Sequence, residues 1–484
     1  MLKLIESFLI PFRKCFSRLS TFKWFAVSVT ALMLRADHLG ATSIIRDLGL
    51  NPECYESLLH FFHSRAYKLP ALRNEWYRQV AGKAPLYKVD GRAVLVGDGV
   101  KQCKEAFHMP GVKKMVQESE TCSKPEYIHG HLFGAVGVII GNAQKKFCLP
   151  LKINLQDGLG TAASWPEAAG IVDISSGSHI EQMIEAGFEA ASQIGRSFFL
   201  LDRYFLSRTA LVLARRLNRD HLSCENGGNL LEIITKAKTN CIAYRRPYNK
   251  KGSKGRPRKR GSSVKVGSLF NQRRFFKDAV VEMYGKKETV SYYSLKLLWG
   301  QGLYQELRFV LVEFNGMRSI LVSMDTALEP QTIIELYAVR FGIESLFREF
   351  KQQMGGFAYH FWTGSLPKLN HFARKEDADP LAHVEDSKSR TKILEAIHAI
   401  ESFVLCSSIA MGILQILSLD GRHSKKFTEA RYLRTYSKEK PSEGTVMYYL
   451  RKYVFLILSR NPHSFVTQYI QEKQLWQSCG NKAS

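Results

Sequence analysis

The sequence predicts a mixed α/β fold in which a core of strands and helices is interrupted by an all-β insertion and flanked by helical ends. Three observations predict it. Apolar runs of strand length alternate with helical stretches within residues 89–246, five strand-like segments follow within 264–323, and helical patterns occupy 1–88, 393–419 and 446–458. With 484 residues, 45% of them hydrophobic, the chain can bury a large core and form two or three domains.

The helical N-terminal region contains a candidate DNA-reading element. Residues 41–48 predict a short helix that ends at Gly49, and Asn51 with Pro52 begins a second helix with an apolar side. Helix, tight turn and helix is the layout of a helix-turn-helix. An ordinary helical hairpin packed on the core is the alternative.

The core begins with predicted strands at 93–96, 131–140 and 147–153. A helix at 178–194, a strand ending at Asp202, a helix at 207–217 and a strand at 240–244 follow. Asp98 and Asp202 each close an apolar run, with Gly97 between the first run and Asp98. Because an acid at the end of a buried strand faces an open sheet edge, both are candidate ligands of a hard cation.

A basic arm opens the insertion. Between residues 245 and 260 there are no acids and nine cations, namely Arg245, Arg246, Lys250, Lys251, Lys254, Arg256, Arg258, Lys259 and Arg260. Predicted strands follow at 264–270, 279–284, 289–298, 307–314 and 319–323. Such an arm suits phosphate binding, although a solvated disordered loop would have the same composition.

The third candidate acid, Glu344, lies on a predicted amphipathic helix. At about 100° per residue, it shares one narrow face with a tyrosine and several cations, while Glu349 points elsewhere. These neighbours are Tyr337, Arg340, Arg348 and Lys351. A solvated helix with ion pairs four residues apart is the alternative, but it does not explain two strand-end aspartates.

Net charge indicates a polyanionic partner. Lys and Arg total 69 against 44 acids, which gives +25 and a pI near 9.6. Nucleic acid is expected before an anionic membrane. Nine cysteines without a CxxC pair favour a reducing cytosol over a zinc or redox site. No signal peptide is expected, and the uncharged run 402–419 suits a buried helix better than a membrane span.

The pattern Tyr337-x2-Arg340-x3-Glu344-x6-Lys351 resembles the signature of the cut-and-paste DDE transposases of bacterial insertion sequences, at all four positions and all three spacings. The Asp202-Arg-Tyr-Phe segment resembles the second-aspartate motif of that family, with Tyr204 where a glycine is expected. A looser resemblance extends from about residue 20 to about residue 420.

This resemblance implies a ribonuclease-H-like core at 89–246 and 327–374, with the arm and β insertion at 247–326. Residues 1–88 would bind DNA, and 375–484 would be a helical region with a possible role in dimerisation. The implied triad, Asp98, Asp202 and Glu344, would hold two Mg²⁺ or Mn²⁺ ions. The implied partners are double-stranded transposon ends and target DNA, bound by a homodimer in the bacterial cytoplasm, at the nucleoid, with no membrane.

Further DNA contacts are expected around the triad. Tyr337, Arg340, Arg348 and Lys351 would lie near the cleaved phosphate, and Lys101 and Lys104 follow Asp98 closely. The arm residues Arg245, Arg246, Lys254, Arg256, Arg258, Lys259 and Arg260 would bind backbone.

The sequence leaves alternative interpretations open for Trp299, for a histidine pair and for the overall function. Trp299 is a candidate platform for a flipped base, although a core tryptophan is the simpler interpretation. His129 and His131 alternate like a metal pair, but packing within the sheet is favoured. A metal-dependent DNA nuclease without strand transfer, or a catalytically inactive DNA-binding relative, would fit the same residues.

Overall fold

A computed structural model describes residues 1–35, 37, 40–117, 126–174, 177–222, 228–248, 256–370, 379–430 and 440–474. The N-terminal region is helical, as predicted, with α1 (Leu2–Leu9), α2 (Leu19–Leu32), α3 (Thr42–Asp47), α4 (Cys54–His63) and α5 (Leu69–Lys83). It packs directly on the sheet, because the Trp76 side chain is fully buried and its Nε1 donates to the Pro150 carbonyl at 2.9 Å.

In the described part of the chain, thirteen strands form one mixed sheet, which confirms the mixed α/β prediction. The first seven are β1 (Lys88–Val89), β2 (Arg92–Cys103), β3 (Lys113–Val116), β4 (Tyr127–Gly141), β5 (Lys146–Leu155), β6 (Ser197–Leu200) and β7 (Leu231–Ala237). The order across the sheet is β5-β4-β2-β6-β7, in which β4 runs antiparallel to β2 and β5 while β6 and β7 run parallel to β2.

The fifth core strand is not the predicted one. Residues 240–244 were expected there, but the position beside β6 belongs to Leu231–Ala237, which pairs in parallel along Ser197↔Leu231 to Leu200↔Ile234. The run Leu231–Ile234 is buried on both faces, so it lacks the alternation of a half-buried strand. The predicted segment forms only β8 (Ile242–Tyr244), which pairs with Ser263–Lys265 and, at Leu298↔Tyr244, with the strand Lys286–Trp299.

The insertion extends the core sheet. Its strands are β9 (Ser263–Lys265), β10 (Lys277–Met283), β11 (Lys286–Trp299), β12 (Gln305–Phe314) and β13 (Met317–Ser323). β13 pairs antiparallel with β7, from Ile320↔Ala237 to Ser323↔Ile234. Of the five predicted strands, the first is wrong over most of its length, because Val266–Asn271 form a 3-10 helix. The side chains of Val266, Leu269 and Phe270 are buried in a second, smaller hydrophobic core.

The remaining helices cover the sheet and carry the third acid. They are α6 (Gly160–Ala163), α7 (His179–Ile194), α8 (Arg208–Leu222), α9 (Pro330–Val339), α10 (Gly342–Gln352), α11 (Ser387–Leu419), α12 (Ser424–Ala430), α13 (Glu443–Ser459) and α14 (Phe465–Gln471). Among the described residues, α11 alone is long and apolar enough to cross a membrane, yet its apolar window is wholly buried in the fold. It is therefore a core helix, as predicted.

The helix that was expected to carry Tyr337 through Lys351 is two helices. α9 ends at Val339 and α10 begins at Gly342, and the intervening turn is closed by Ile343 N–H to Arg340 O (3.1 Å) and Glu344 N–H to Phe341 O (3.1 Å). The prediction of one continuous helix over 337–351 is therefore wrong, but Arg340 and Glu344 lie on a shared face, as predicted. Gly342, at the start of α10, has a low helix propensity. It packs against Ile139 and Cys148 of the sheet, and a Cβ at this position would lie 3.5 Å from both side chains, an ordinary van der Waals distance.

Candidate active site

Asp98 lies inside β2 rather than at its end. The strand stays paired with β4 as far as Cys103↔Gly130, whereas its pairing with β6 stops at Val96↔Leu200. The sequence prediction that the strand closes at Asp98 is therefore wrong for one neighbour and right for the other. Because β6 leaves the sheet just before this level, the Asp98 side chain stands at an opening between two parallel strands.

Asp202 lies at the same opening. It follows β6, and its carboxylate accepts a hydrogen bond from the Tyr204 backbone N–H at 2.8 Å, which caps a 3-10 turn over Arg203–Phe205. The Thr235 hydroxyl of β7 donates to the Asp202 carbonyl at 2.6 Å. The capping turn and the neighbouring strand thus hold this acid at the point where β6 ends.

Arg340 joins the strand acid to the helix acid. Its Nη1 lies 3.2 Å from Asp98 Oδ2, and its Nη2 donates to Glu344 Oε1 at 2.6 Å. Arg340 sits in the turn between α9 and α10, so the helix break directs the guanidinium toward the sheet. A planar guanidinium can serve two carboxylates at once, which a lysine ammonium cannot do in the same geometry.

The pKa of Asp98 is shifted first by burial and then by the charges around it. Burial raises the pKa of this carboxyl to about 6, against the lowering effect of Arg340. The charges of Asp202 and Glu344 raise it further, and the Gly99 backbone N–H, 2.8 Å from Asp98 Oδ1, lowers it. Asp202 and Glu344 therefore both lie within electrostatic reach of Asp98, and burial outweighs the stabilising charge of Arg340.

Tyr337 belongs to the same cluster. Burial raises the pKa of its hydroxyl to about 12, Arg340 lowers it, and Asp202 and Asp98 raise it. The Arg340 guanidinium lies 5.9 Å from the ring centre. At neutral pH the phenol is protonated and can donate a hydrogen bond to an anion.

The donor chemistry fits a hard divalent cation, but the side chains are not drawn together around one. Within the described ranges, no three His, Cys, Asp or Glu side chains are grouped closely enough to hold a metal ion. The Arg340 guanidinium takes the space between Asp98 and Glu344 instead. Carboxylate oxygens are the ligands that Mg²⁺ prefers, and a divalent cation beside Asp98 would favour its ionised form against the burial that raises its pKa.

Lys101, Lys104 and Lys351 line a second feature, a cleft of about 460 Å³ beside the end of β2. Lys351 Nζ donates to the Lys101 carbonyl at 2.8 Å, and Lys101 Nζ donates to the Val116 carbonyl at 2.7 Å. Lys104 is held more firmly, by the carbonyls of Phe357 (2.7 Å) and Tyr359 (2.8 Å), and burial lowers its pKa to about 8. Lys104 thus has a structural role in positioning the 357–359 segment.

Trp299 lines the wall of a larger cleft, of about 850 Å³, on the Asp202 side of the opening. The cleft is basic and aromatic, with Arg203, Arg208 and Lys238 around it and Tyr244 opposite the half-buried Trp299. The indole therefore borders both a core and an open cleft, a position compatible with either interpretation of this residue.

Among the described arm residues, Arg260 contacts a residue that lines this cleft. Arg260 stacks 4.4 Å from the ring centre of Tyr244, and Arg246 forms an ion pair with Glu306. The side chains of Arg245, Arg256, Arg258 and Lys259 are exposed. Lys250, Lys251 and Lys254 lie outside the described residues. Arg348, on α10, pairs with Glu349 at 3.1 Å.

The predicted helix-turn-helix does not present a basic surface. On α4, Leu58, Phe61 and Phe62 are buried, and the outward side carries Glu56 and His60. The turn is also paired with the C-terminal segment, because the Asn51 N–H donates to the Lys473 carbonyl at 2.7 Å. This arrangement favours the packed helical hairpin over a helix that enters a DNA groove.

His131 is a packed residue, as the sequence favoured. It is fully buried, with Nδ1 2.5 Å from the Tyr359 hydroxyl and Nε2 2.9 Å from the Pro110 carbonyl. Both ring nitrogens are therefore engaged within the fold.

Two residues near the acids escaped the sequence interpretation. Lys236 lies on β7, the strand that was missed, and its pKa is lowered by burial and then by Arg203 and Arg340. His179 begins α7, and its ring packs against Tyr204 and Phe205 with centroids 6.0 and 5.5 Å away. The capping pair Ser178 and Glu181 marked the helix start, but only the fold brings His179 to the Asp202 turn.

Comparisons with known proteins leave the chain without a family. No protein-family model matches the sequence, and no curated protein matches it. The crystal structure of the NurA nuclease from Sulfolobus solfataricus aligns with 60% of this chain and 86% of its own, at 11% sequence identity and a TM-score of 0.21. A similarity this low carries no argument about fold or activity.

Proposed function

We propose that this protein is a DDE transposase that binds the ends of its own insertion sequence and catalyses divalent-metal-dependent cleavage and strand transfer of DNA. The observation that carries the proposal is the convergence of Asp98, Asp202 and Glu344, from two strands and a helix, with Arg340 bonded to two of them. Phosphoryl transfer needs grouped carboxylates, because ions must be held on both sides of one phosphate.

The strand order supports a ribonuclease-H-like core. β2, β4 and β5 form an antiparallel meander, and α7, β6, α8 and β7 then follow in chain order. This is the succession of three strands, helix, strand, helix and strand that the resemblance implies, with the acids at the opening between β2 and β6.

Asp98, Asp202 and Glu344 would hold the two Mg²⁺ or Mn²⁺ ions. When bound, such ions lower the pKa of a water or a 3′-hydroxyl and stabilise the leaving oxygen. Arg340 would then exchange one of its carboxylate contacts for a non-bridging phosphate oxygen, since its planar fork fits either group. Tyr337, which is protonated at neutral pH, would donate a hydrogen bond to the same phosphate.

The two basic clefts would define the course of the DNA. The cleft with Lys101 and Lys351 lies on one side of the acids, and the cleft with Arg203, Lys238 and Trp299 lies on the other. A duplex with its scissile phosphate at Asp98 would therefore meet cations in both directions. Assembly of two copies on paired ends, in the bacterial cytoplasm, belongs to the same proposal.

The decisive test is a cleavage assay on the DNA that flanks the protein's own gene. The full chain is incubated with those ends, a target plasmid and Mg²⁺ or Mn²⁺, and the cut and joined strands are mapped. A transposase exposes 3′-hydroxyls at the element ends and joins them to the target, and Asp98→Ala does neither. A plain nuclease would cut without regard to the ends and join nothing, and an inactive relative would bind without cutting.

A further inference from the structure

Helix α8 carries a row of arginines that no part of the proposed catalytic site uses. The helix spans Arg208–Leu222 and begins directly after the turn that holds Asp202. Four arginine side chains on it are exposed, and they form what we term the α8 arginine face: Arg208, Arg215, Arg216 and Arg219. Val212, 45% exposed, lies among them. A helix that packed this side against the protein would not expose four cations around one valine.

The four arginines share one side of the helix. At about 100° per residue, Arg208, Arg215 and Arg219 fall within about 40° of one another, and Arg216 lies about 60° to one side of Arg219. From the first to the last of them the helix rises about 16 Å, at about 1.5 Å per residue. Since duplex DNA rises about 3.4 Å per base pair, this length corresponds to about five base pairs.

The face is continuous with the cleft beside Asp202. Arg208 lines the 850 Å³ cleft that contains Trp299, and it also lines a groove of about 400 Å³ between α7 and α8. Thr209, Val212 and Arg216 form the α8 wall of that groove. A basic surface therefore extends from the cleft that Arg203 and Arg208 line along the length of α8.

Few acids neutralise this surface. Within the described part of the chain, Arg208, Arg215 and Arg216 have no carboxylate oxygen within 4 Å, and Arg219 has only Asp220, at 3.6 Å. Glu181 enters the groove, but its carboxylate accepts hydrogen bonds from the Ser178 N–H (2.9 Å) and hydroxyl (2.7 Å). That carboxylate therefore caps the start of α7, and although it interacts electrostatically with Arg216, it forms no ion pair within 4 Å of the face.

We infer that the α8 arginine face binds the phosphate backbone of duplex DNA that leaves the active site on the Asp202 side. The inference rests on the proposed function for the position of the DNA. Exposed arginines without base-reading geometry contact phosphates irrespective of sequence, so this surface would contribute affinity and orientation. Its length and its continuity with the cleft favour a duplex over a small anion or an acidic peptide.

The test compares DNA binding by the full chain and by two triple variants. Arg215→Gln, Arg216→Gln, Arg219→Gln removes three charges from the face but leaves Arg208 in the cleft, and glutamine preserves helix propensity. The matched control, Lys3→Gln, Lys425→Gln, Lys426→Gln, removes three exposed charges near the N-terminus and α12. Affinity for a random-sequence duplex is measured in EDTA between about 50 and 200 mM salt, so that cleavage plays no part.

The face variant should have a salt-dependence slope shallower by about 0.9 for each phosphate that it no longer neutralises, and so by nearly 3 for three phosphates, while the control keeps the wild-type slope. Equal slopes in all three proteins, or an equal change in both variants, would overturn the inference. If the wild-type protein binds no duplex, the proposed function is refuted as well. If the wild-type protein binds DNA but never cuts it, and the slope still changes in the face variant, only the transposase function is refuted and the DNA contact of the α8 arginine face stands.

Discussion

Replacement of Asp98 by asparagine should stabilise the metal-free protein while it abolishes cleavage. Burial and two neighbouring acids raise the pKa of this carboxyl from its ordinary 3.8 to about 6. Because the folded state binds the proton more tightly than the unfolded state, stability is greatest when Asp98 is protonated and falls as the pH rises through 6. A shift of about two units costs about 3 kcal/mol once both states are ionised.

Asparagine removes that cost, so the gain should depend on pH. We expect the free energy of unfolding to rise by about 1.5 kcal/mol at pH 5 and by about 3 kcal/mol at pH 8, with urea unfolding in EDTA as the assay. Asp325→Asn is the control, because Asp325 forms an ion pair with Arg92 at 2.7 Å. The hydrogen bond from Arg92 helps to lower the pKa of Asp325 against the effect of burial. Loss of the Asp325 charge should therefore reduce the free energy of unfolding at pH 8.

The opposite result would refute the reasoning. If Asp98 served mainly to anchor Arg340, the asparagine variant would be less stable than the wild type at pH 8, and the difference would not shrink at pH 5. A gain at high pH together with abolished cleavage is typical of a site that sacrifices stability for function.

Three further predictions concern residues around this site and in the core. Glu344→Ala should eliminate strand cleavage, whereas Glu349→Ala, whose carboxylate pairs with Arg348, should cut at the wild-type rate in the same gel assay. Arg340→Lys should reduce cleavage at least tenfold without loss of DNA affinity, because an ammonium cannot bind two oxygens in the planar geometry of a guanidinium. Lys351→Ala should lower joining more than it lowers DNA affinity. Normal transposition by both variants would contradict the phosphate-contact interpretation. Burial raises the pKa of Glu401 to about 7, so the stability of the fold should decrease as the pH rises through 7. Glu401→Gln should flatten that part of the plot of urea midpoint against pH. An unchanged plot would mean that Glu401 is not the titrating group.

Local pattern was sufficient for most of the helices and strands. Strands β11, β12 and β13 are apolar runs separated by short turns that contain glycine, and because these are local signals their placement could be predicted from sequence alone. Strand β7 was missed because Leu231–Ile234 are buried on both faces and show no alternation. The 3-10 turn at Val266–Asn271 was missed because its apolar residues cap a core that other segments build.

The candidate site likewise combines features that the sequence predicted with features that it did not. The spacing of Tyr337, Arg340, Glu344 and Lys351 and the acids after two apolar runs can be read from the chain, because each is a local pattern. The length of β2 beyond Asp98 could not be read, since it depends on which of two neighbours keeps pairing. The break between α9 and α10 was also hidden, because a helical wheel assumes a continuous helix and no local pattern marks the turn at Arg340 and Phe341.

Composition and short-range periodicity are properties of the chain, so the mixed α/β class, the strong positive charge and the identity of the three acids followed from the sequence without a structure. Three other features required the folded protein: Arg340 bridges Asp98 and Glu344, Lys104 supports the 357–359 segment, and the α8 arginine face adjoins the cleft beside Asp202. These features depend on contacts between residues far apart in the chain, and such contacts exist only once the sheet has brought them together.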